Sequence, residues 1–187
     1  MNKMPLVTMD MNIRDALKNV HIIPDVIEDE NFAPATLIDV EYPSGRKVEM
    51  GNRLTPQEAS EKPKVSFLLP EDDAAAYTLI MMDPDAPSTT DRQFGPWRHW
   101  VCVNIKGADQ RGVDHTPYRA PGPRPGSGEH RYIFLLFKQT RGDTAQSFPP
   151  MAHDTVPSRR NFDVKQFVRD SDLELVGINF FLCSAAQ

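Results

Sequence analysis

The sequence predicts a mainly β fold, an antiparallel β-sandwich with a few short helices at its periphery. Short apolar segments rich in strand-forming residues recur along the 187 residues, turn residues separate them, and strands do not alternate with long helices. The 17 prolines fall mostly between the apolar segments, where they suit loops better than strand interiors. A chain of this length fits one core, so we expect a single domain over residues 1–187.

The predicted helices are few and short. Asp10 is a suitable N-cap for a helix over residues 11–20, and Pro24 ends that helical pattern. Residues 55–58 combine a capping threonine, a proline at the first helical position and a later glutamate, which predicts one or two helical turns at most. Asn161 or Asp163 is expected to cap a last helix that reaches about Arg169.

Seven segments have the composition of strands. They are residues 35–42, 46–50, 64–69, 77–82, 98–105, 130–138 and 173–183. The first two are joined by the turn 43–45, and Gly177 is expected to mark a bulge in the last. Between residues 106 and 128 the sequence predicts a long irregular connection, a kind of segment that often carries function.

Composition narrows the class of protein. The net charge of −5 argues against a nucleic-acid binder, because such proteins display basic surfaces. The N-terminus lacks the apolar core of a secretion signal, and no apolar run is long enough to span a bilayer. Cys102 and Cys183 are expected to be buried free thiols, which suits a reducing compartment. We therefore expect a cytoplasmic monomer with at most peripheral membrane contact.

Asp83 follows the apolar run LIMM directly, and a loop with several prolines comes after it. A carboxylate at the end of a buried strand needs donors or a cation. His99 and His130 each begin a predicted strand, so the three residues are expected to meet at one end of the sheet. A capped proline turn remains the commoner explanation of such spacing. Two histidines and a carboxylate also match a facial metal triad, but no HxH or HxxxH spacing supports one, and we expect neither metal nor cofactor.

Residues 122–128 (GPRPGSG) have the glycine content of a phosphate loop but neither its Gly-Lys-Ser/Thr ending nor a following helix. Glycines can still expose backbone N–H groups to an anion, although a plain loop before a strand is equally consistent. No GxSxG motif occurs, and Ser88 and Ser127 lie in loops without a recognisable base partner. We therefore expect no enzyme. The alternative is a small-molecule hydrolase that uses Asp83 with His99 and His130.

Several motifs carry a family resemblance. They are DPDAPS at 83–88, the Trp97–His99 stretch before a strand, and GSGEHRYIFLLFKQ at 126–139. Together they resemble the phosphatidylethanolamine-binding protein family, which includes Raf kinase inhibitor protein. The stretches VIEDENFAPATLIDVEY, EMGNRLTPQEA and LELVGINFFLC extend the likeness over nearly the whole chain and are most similar to the fungal carboxypeptidase Y inhibitor branch.

The resemblance implies a β-sandwich with a small anion-binding pocket at one end. By motif its lining would be Asp83, Asp85, Pro87, Trp97, His99, Gly128, His130 and Tyr132. It also implies cis peptide bonds at Ala86–Pro87 and Gly95–Pro96. Two departures are expected to alter the pocket: Phe94 stands where the family often has tyrosine, and the chain ends soon after its last strand without the C-terminal helix of many members.

The functional expectation is non-enzymatic. The resemblance implies binding of phosphate or a phospholipid head group such as phosphatidylethanolamine, coupled to regulation of a protein partner. A serine carboxypeptidase or a component of a kinase pathway is the implied partner.

Overall fold

The computed structural model describes residues 6–68, 74–106, 110–141 and 146–185. Its elements are α1 (Leu6–Asn19), α2 (Ile22–Asp25), β1 (Ile38–Glu41), β2 (Lys64–Phe67), β3 (Tyr77–Asp83), β4 (Trp97–Lys106), β5 (Arg111–Thr116), β6 (His130–Gln139), a 3-10 turn (Pro157–Arg159), α3 (Val164–Asp170) and β7 (Leu173–Cys183). The chain divides into two compact units, Met1–Ala35 and Thr36–Gln187. The single domain remains a prediction, whereas the mainly β fold is confirmed.

The first unit holds α1 and α2. Helix α1 begins at Leu6, so the prediction that Asp10 caps a helix over 11–20 is wrong. No glycine or proline stands between Leu6 and Asp10 to stop the helix from extending toward the N-terminus. Segment α2 is short and is interrupted at Ile23, whose φ and ψ of −99° and 120° are not helical.

The second unit contains two antiparallel sheets, one of five strands in the order β5-β4-β3-β6-β7 and one formed by β1 and β2. Aromatic and aliphatic side chains from both sheets form one core, with Tyr42, Phe134 and Phe181 among its fully buried members. The Asn179 side chain of β7 donates a hydrogen bond of 2.8 Å to the Ile38 carbonyl of β1. The two sheets therefore pack face to face, as the sandwich prediction requires.

Two strand predictions were wrong. Residues 46–50 make only one isolated bridge, between Lys47 and Glu41, because the next backbone donors bond to side chains. The N–H of Glu49 donates to Asn52 Oδ1 at 2.8 Å, and that of Met50 to Asn179 Oδ1 at 3.0 Å. Conversely, β5 lies inside the predicted irregular connection. It is a mostly exposed edge strand whose sequence, RGVDHT, lacks an apolar alternation.

The other local predictions fare better. The Asp163 side chain caps α3 by accepting from the Gln166 N–H at 2.8 Å. Thr55 and Glu58 form the reciprocal bonds of a capping box, although they close a turn without a helix. Strand β7 has the predicted bounds, and its register against β6 shifts next to Gly177. The end of the predicted strand 64–69 lies outside the described residues.

Candidate functional site

Three neighbouring strands bring the candidate site together at one end of the larger sheet. Asp83 ends β3 and pairs with Trp97, which begins β4. His130 begins β6, the other neighbour of β3. Because β3 is antiparallel to both strands, its last residue meets their first residues. The predicted convergence of Asp83, His99 and His130 is therefore confirmed.

A cavity of about 280 Å³ opens at this end of the sheet. Its lining is Asp83, Ala86, Pro87, Phe94, Trp97, His99, Arg119, Ala120, Gly122, Pro123, Arg124, His130, Tyr132, Val156 and Arg160. Six of the eight residues predicted for the site are among them. The Ala86–Pro87 and Gly95–Pro96 bonds in the loop after β3 are both cis.

A buried chain of hydrogen bonds runs from Asp83 through His130 to Ser127. His130 Nδ1 lies 2.7 Å from Asp83 Oδ2, and His130 Nε2 lies 2.9 Å from Ser127 Oγ. The statement that Ser127 lacks a base partner is therefore wrong, since the partner is supplied by the strand that follows its loop. Ser127 is nevertheless buried and does not line the cavity. The chain of bonds orients His130 and does not present a nucleophile to the cavity.

The pKa values of the two histidines shift in opposite directions because their partners differ. His99 Nδ1 lies 2.7 Å from the Arg119 carbonyl oxygen, which only accepts, so Nδ1 carries the proton. Burial lowers the pKa of His99 to about 4, so the ring is neutral near pH 7. Burial also opposes the charge on His130, but the hydrogen bond and charge of Asp83 outweigh it and raise the pKa of His130. The site thus holds a neutral ring beside a histidine–carboxylate pair.

Asp85 and Gly128 were predicted for the lining but are not among the residues that line the cavity. The Asp85 carboxylate is buried and accepts three hydrogen bonds from Arg131, two from its guanidinium and one from its backbone N–H. Arg92 adds a fourth contact at 3.0 Å. Gly128 has a φ of +89°, and a Cβ there would lie 2.3 Å from Thr89 Oγ1. Both residues fix loop geometry around the cavity.

Three arginines of the lining escaped prediction, namely Arg119, Arg124 and Arg160. They come from segments without usable periodicity, and only their arginine content offered a signal. None of the three has a carboxylate partner in the part of the chain that the structure describes. The guanidinium carbon of Arg160 lies 3.8 Å from the centroid of the Phe94 ring. The cavity therefore carries a concentration of positive charge although the chain is acidic overall.

A fourth arginine holds one wall of the cavity from behind. Arg159 is 4% exposed, and its Nη1 donates to the carbonyls of His99 at 3.1 Å and Pro117 at 2.9 Å. Burial and the nearby charge of Arg119 lower the pKa of Arg159. This side chain ties the 3-10 turn to β4 and adds positive charge behind Trp97, whose ring centroid is 5.6 Å from it.

Aromatic rings form the floor of the cavity. The Trp97 and His99 ring centroids are 4.4 Å apart, and those of His99 and Tyr132 are 5.1 Å apart. Tyr132 stacks on Phe181 at 5.1 Å and 16°. Burial and the charge of Asp83 raise the pKa of Tyr132, so its hydroxyl stays protonated.

Other kinds of site find no support in the described residues. They contain no group of three or more His, Cys, Asp or Glu side chains arranged to hold a metal ion. No helix among them combines the length and apolar composition that crossing a bilayer requires. Cys102 and Cys183 are unpaired and buried.

Comparisons with known proteins agree with this geometry. The family model described as phosphatidylethanolamine-binding protein matches residues 44–181. A relative from Saccharomyces cerevisiae named carboxypeptidase Y inhibitor is 32% identical, over 89% of this chain and 92% of its own length. The Arabidopsis thaliana protein CENTRORADIALIS-like is 33% identical, over 90% and 91%. A crystal structure of carboxypeptidase Y inhibitor complexed with its cognate proteinase has a TM-score of 0.81 and 31% identity, over 95% of this chain and 97% of the other.

Proposed function

The chain belongs to the phosphatidylethanolamine-binding protein family, and from this membership we propose that it binds a phosphoryl anion in the cavity and regulates a protein partner without catalysing a reaction. The observation that carries the first part is the set of arginines around the cavity that lack carboxylate partners. Arginine guanidinium groups suit phosphoryl oxygens because they donate in a planar fork. His99 adds a second type of contact through Nε2, which donates once the bound anion has favoured its protonation.

The non-enzymatic part of the proposal rests on the lining. None of its described residues is serine, threonine or cysteine, and the buried Ser127 hydroxyl is bonded to His130. A hydrolase would need an activated nucleophile or water within reach of the bound group. The alternative use of Asp83 with the two histidines is also disfavoured, because both ring nitrogens of His130 are occupied, by Asp83 and by Ser127, and the lowered pKa of His99 makes it a weak base.

Titration with inorganic phosphate tests the binding function. The ring signals of His99 and His130 are followed by NMR, and we expect both to shift with saturation. Arg169→Gln on α3 is the control, since it removes one positive charge away from the cavity, and it should leave the curve unchanged. Unshifted ring signals, together with turnover of an ester substrate, would support the hydrolase instead.

For the partner we propose a serine carboxypeptidase. The support is the similarity to the yeast inhibitor and to the structure of an inhibitor bound to its proteinase. Inhibition of carboxypeptidase Y by the whole chain is the test, with heat-denatured protein as control. Lack of inhibition at high excess would rule out this partner while leaving anion binding intact. A cytoplasmic location, with which two unpaired thiols are compatible, is part of the same proposal.

A further inference from the structure

We propose, on the basis that the cavity binds a phosphoryl group as proposed above, that it selects phosphoryl ligands without an ammonium group. Arg160, held against Phe94, is the residue that we propose sets this preference. Phosphoethanolamine and its lipids carry an ammonium beside the phosphate. Their rejection would give this chain a ligand preference that differs from the one in its family's name.

The carboxylates near the cavity are buried and already hydrogen-bonded to protein groups. Asp83 is the acidic residue of the described lining, and it is 3% exposed. Its Oδ1 accepts from the Asp85 N–H at 2.7 Å, and its Oδ2 contacts His130 at 2.7 Å. Asp85 is 1% exposed and is held by Arg131 and Arg92. An ammonium in the cavity would therefore meet no carboxylate that lacks hydrogen-bond partners.

The aromatic faces, which are the other common partners of an ammonium, are also in use. Trp97 already has Arg159 and Arg119 within 5.6 and 6.0 Å of its ring centroid. Tyr132 is stacked against Phe181 on one side and is near-parallel to His130 at 6.4 Å. The Phe94 ring is covered by a guanidinium. The cavity thus offers no aromatic cage for a ligand cation.

The remaining charge of the lining is positive. Arg119, Arg124 and Arg160 contribute three cations, against the one carboxylate of the described lining, Asp83. A phosphoryl group gains from all three arginines. An ammonium a few ångströms from that group is repelled by the same arginines in a partly buried space, where screening is weaker than in bulk water.

We assign the preference to Arg160 because its guanidinium packs on the Phe94 ring. Phe94 has no hydroxyl and offers only a ring face, and Arg160 lies on that face at 3.8 Å. Stacking orients the guanidinium and reduces the freedom it must lose when it binds. At this position the cavity therefore presents charged donors, which favour an anion over a zwitterion.

Calorimetric titration of ethyl phosphate and phosphoethanolamine at pH 7 tests the preference, because the two ligands differ mainly in the ammonium group. We expect ethyl phosphate to bind about fivefold more tightly, the size of an unfavourable charge pair in a partly exposed site. Equal binding, or tighter binding of phosphoethanolamine, would overturn the selectivity while leaving phosphoryl binding in place. Failure of both ligands to bind would overturn the proposed function itself.

Two variants test whether Arg160 sets the preference. Arg160→Gln should weaken ethyl phosphate by about tenfold, the size of a charge-assisted hydrogen bond, and reduce the ratio of the two affinities, because one of the three cations that repel the ammonium is removed. Arg169→Gln, which removes an equal charge outside the cavity, should leave the ratio unchanged. An unchanged ratio in Arg160→Gln would show that Arg160 does not set the preference.

Binding to vesicles distinguishes the two possible sources of the phosphoryl group, a lipid head group and a soluble phosphate ester. Phosphatidylcholine vesicles that contain phosphatidic acid are compared with vesicles that contain phosphatidylethanolamine. Binding to the first only, lost in Arg160→Gln, would identify a lipid head group as the anion. Binding of ethyl phosphate without vesicle binding would identify a soluble phosphate ester, and both results support the selectivity. Stronger binding to the phosphatidylethanolamine vesicles would contradict it.

Discussion

Binding of sulfate should tighten about tenfold between roughly pH 7 and pH 5, because His99 takes up a proton when an anion enters the cavity. In the free protein burial lowers the pKa of His99 to about 4, and Nδ1 is already committed to the Arg119 carbonyl. Nε2 has no protein partner among the described residues. An anion beside this nitrogen favours its protonation, so the complex holds a proton that the free protein lacks.

The magnitude follows from Coulomb's law. A unit charge about 4 Å from the ring is worth about 4 kcal/mol at an effective dielectric constant of about 20. A cavity open to water retains part of this interaction energy. A retained energy of about 3 kcal/mol increases the protonation constant of His99 in the complex by about two orders of magnitude. Between the His99 pKa of the complex and that of the free protein, affinity gains nearly tenfold per pH unit. Sulfate is the right probe because it does not itself titrate in this range, unlike phosphate.

The assay is calorimetry at pH 7, 6 and 5 in buffers of different ionisation enthalpy, which counts the protons taken up. His99→Gln should bind sulfate with a much weaker pH dependence, because the dependence that is left belongs to His130. A flat profile in the natural protein, or the same profile in the variant, would refute the assignment to His99.

The lowered pKa of His99 also affects folding. As pH falls, it reduces the stability of the folded protein, whereas it tightens sulfate binding. Below about pH 6.5 the unfolded chain protonates His99 while the folded protein does not. Stability is therefore complete above that pH and is lost as pH falls toward the folded pKa of about 4. The loss amounts to about 2 kcal/mol by pH 5, so circular dichroism should accompany each titration.

Three further perturbations test the support of the cavity. Asp83→Asn should lower the pKa of His130 below its usual value, because burial persists when the opposing carboxylate is gone; ring NMR titration measures it. Gly128→Ala should reduce the free energy of unfolding by about 2 kcal/mol or more, since the backbone is left-handed and the added Cβ would clash. Arg159→Met should cost about 2–3 kcal/mol, because the hydrogen bonds of the buried guanidinium to the carbonyls of His99, Pro117 and His153 are lost. Urea unfolding measures both.

Each of the three has a control in the chain. Asp91→Asn neutralises an exposed carboxylate of the same loop and should leave the His130 titration in place. Gly126→Ala has a φ of +77° with nothing within 4 Å of the added Cβ, so it should cost only the backbone part, about 1 kcal/mol. Arg169→Met should be near neutral, as exposed substitutions usually are. If Gly126→Ala and Gly128→Ala reduce the free energy of unfolding equally, the clash of the added Cβ with Thr89 does not contribute to the loss of stability.

The strand-borne part of the fold and site was predictable because strands leave a local signal. The run LIMM is apolar on both faces because β3 is central and fully buried, and a carboxylate that follows such a run is chemically conspicuous. β7 was predicted with its bounds because most of its residues are apolar and buried, although it is the last strand in the sheet order. β5 left no such signal, since an exposed edge strand needs no apolar alternation and is recognised only by its pairing with β4.

Tertiary contacts account for the remaining misses. Ser127 acquires its partner because a turn brings it under His130, and no sequence pattern marks that approach. Asp85 was placed in the pocket by its motif, yet the buried guanidinium of Arg131 draws it away from the cavity. A motif identifies which residues matter but not on which side of a loop each carboxylate lies.

The distribution of the site residues over strands and loops has a functional consequence. Asp83, His99 and His130 lie on three paired strands, whose register leaves little freedom, so the chemistry that they provide is tied to the fold. Arg119, Arg124 and Arg160 lie on loops and the end of a 3-10 turn, where sequence changes do not disturb the sheet. A change of ligand preference therefore needs only the loops to change, while the histidine–carboxylate pair stays constant. Phe94 and Arg160 are such a pair of loop positions, and their exchange for other residues should alter which anion binds without altering whether one does.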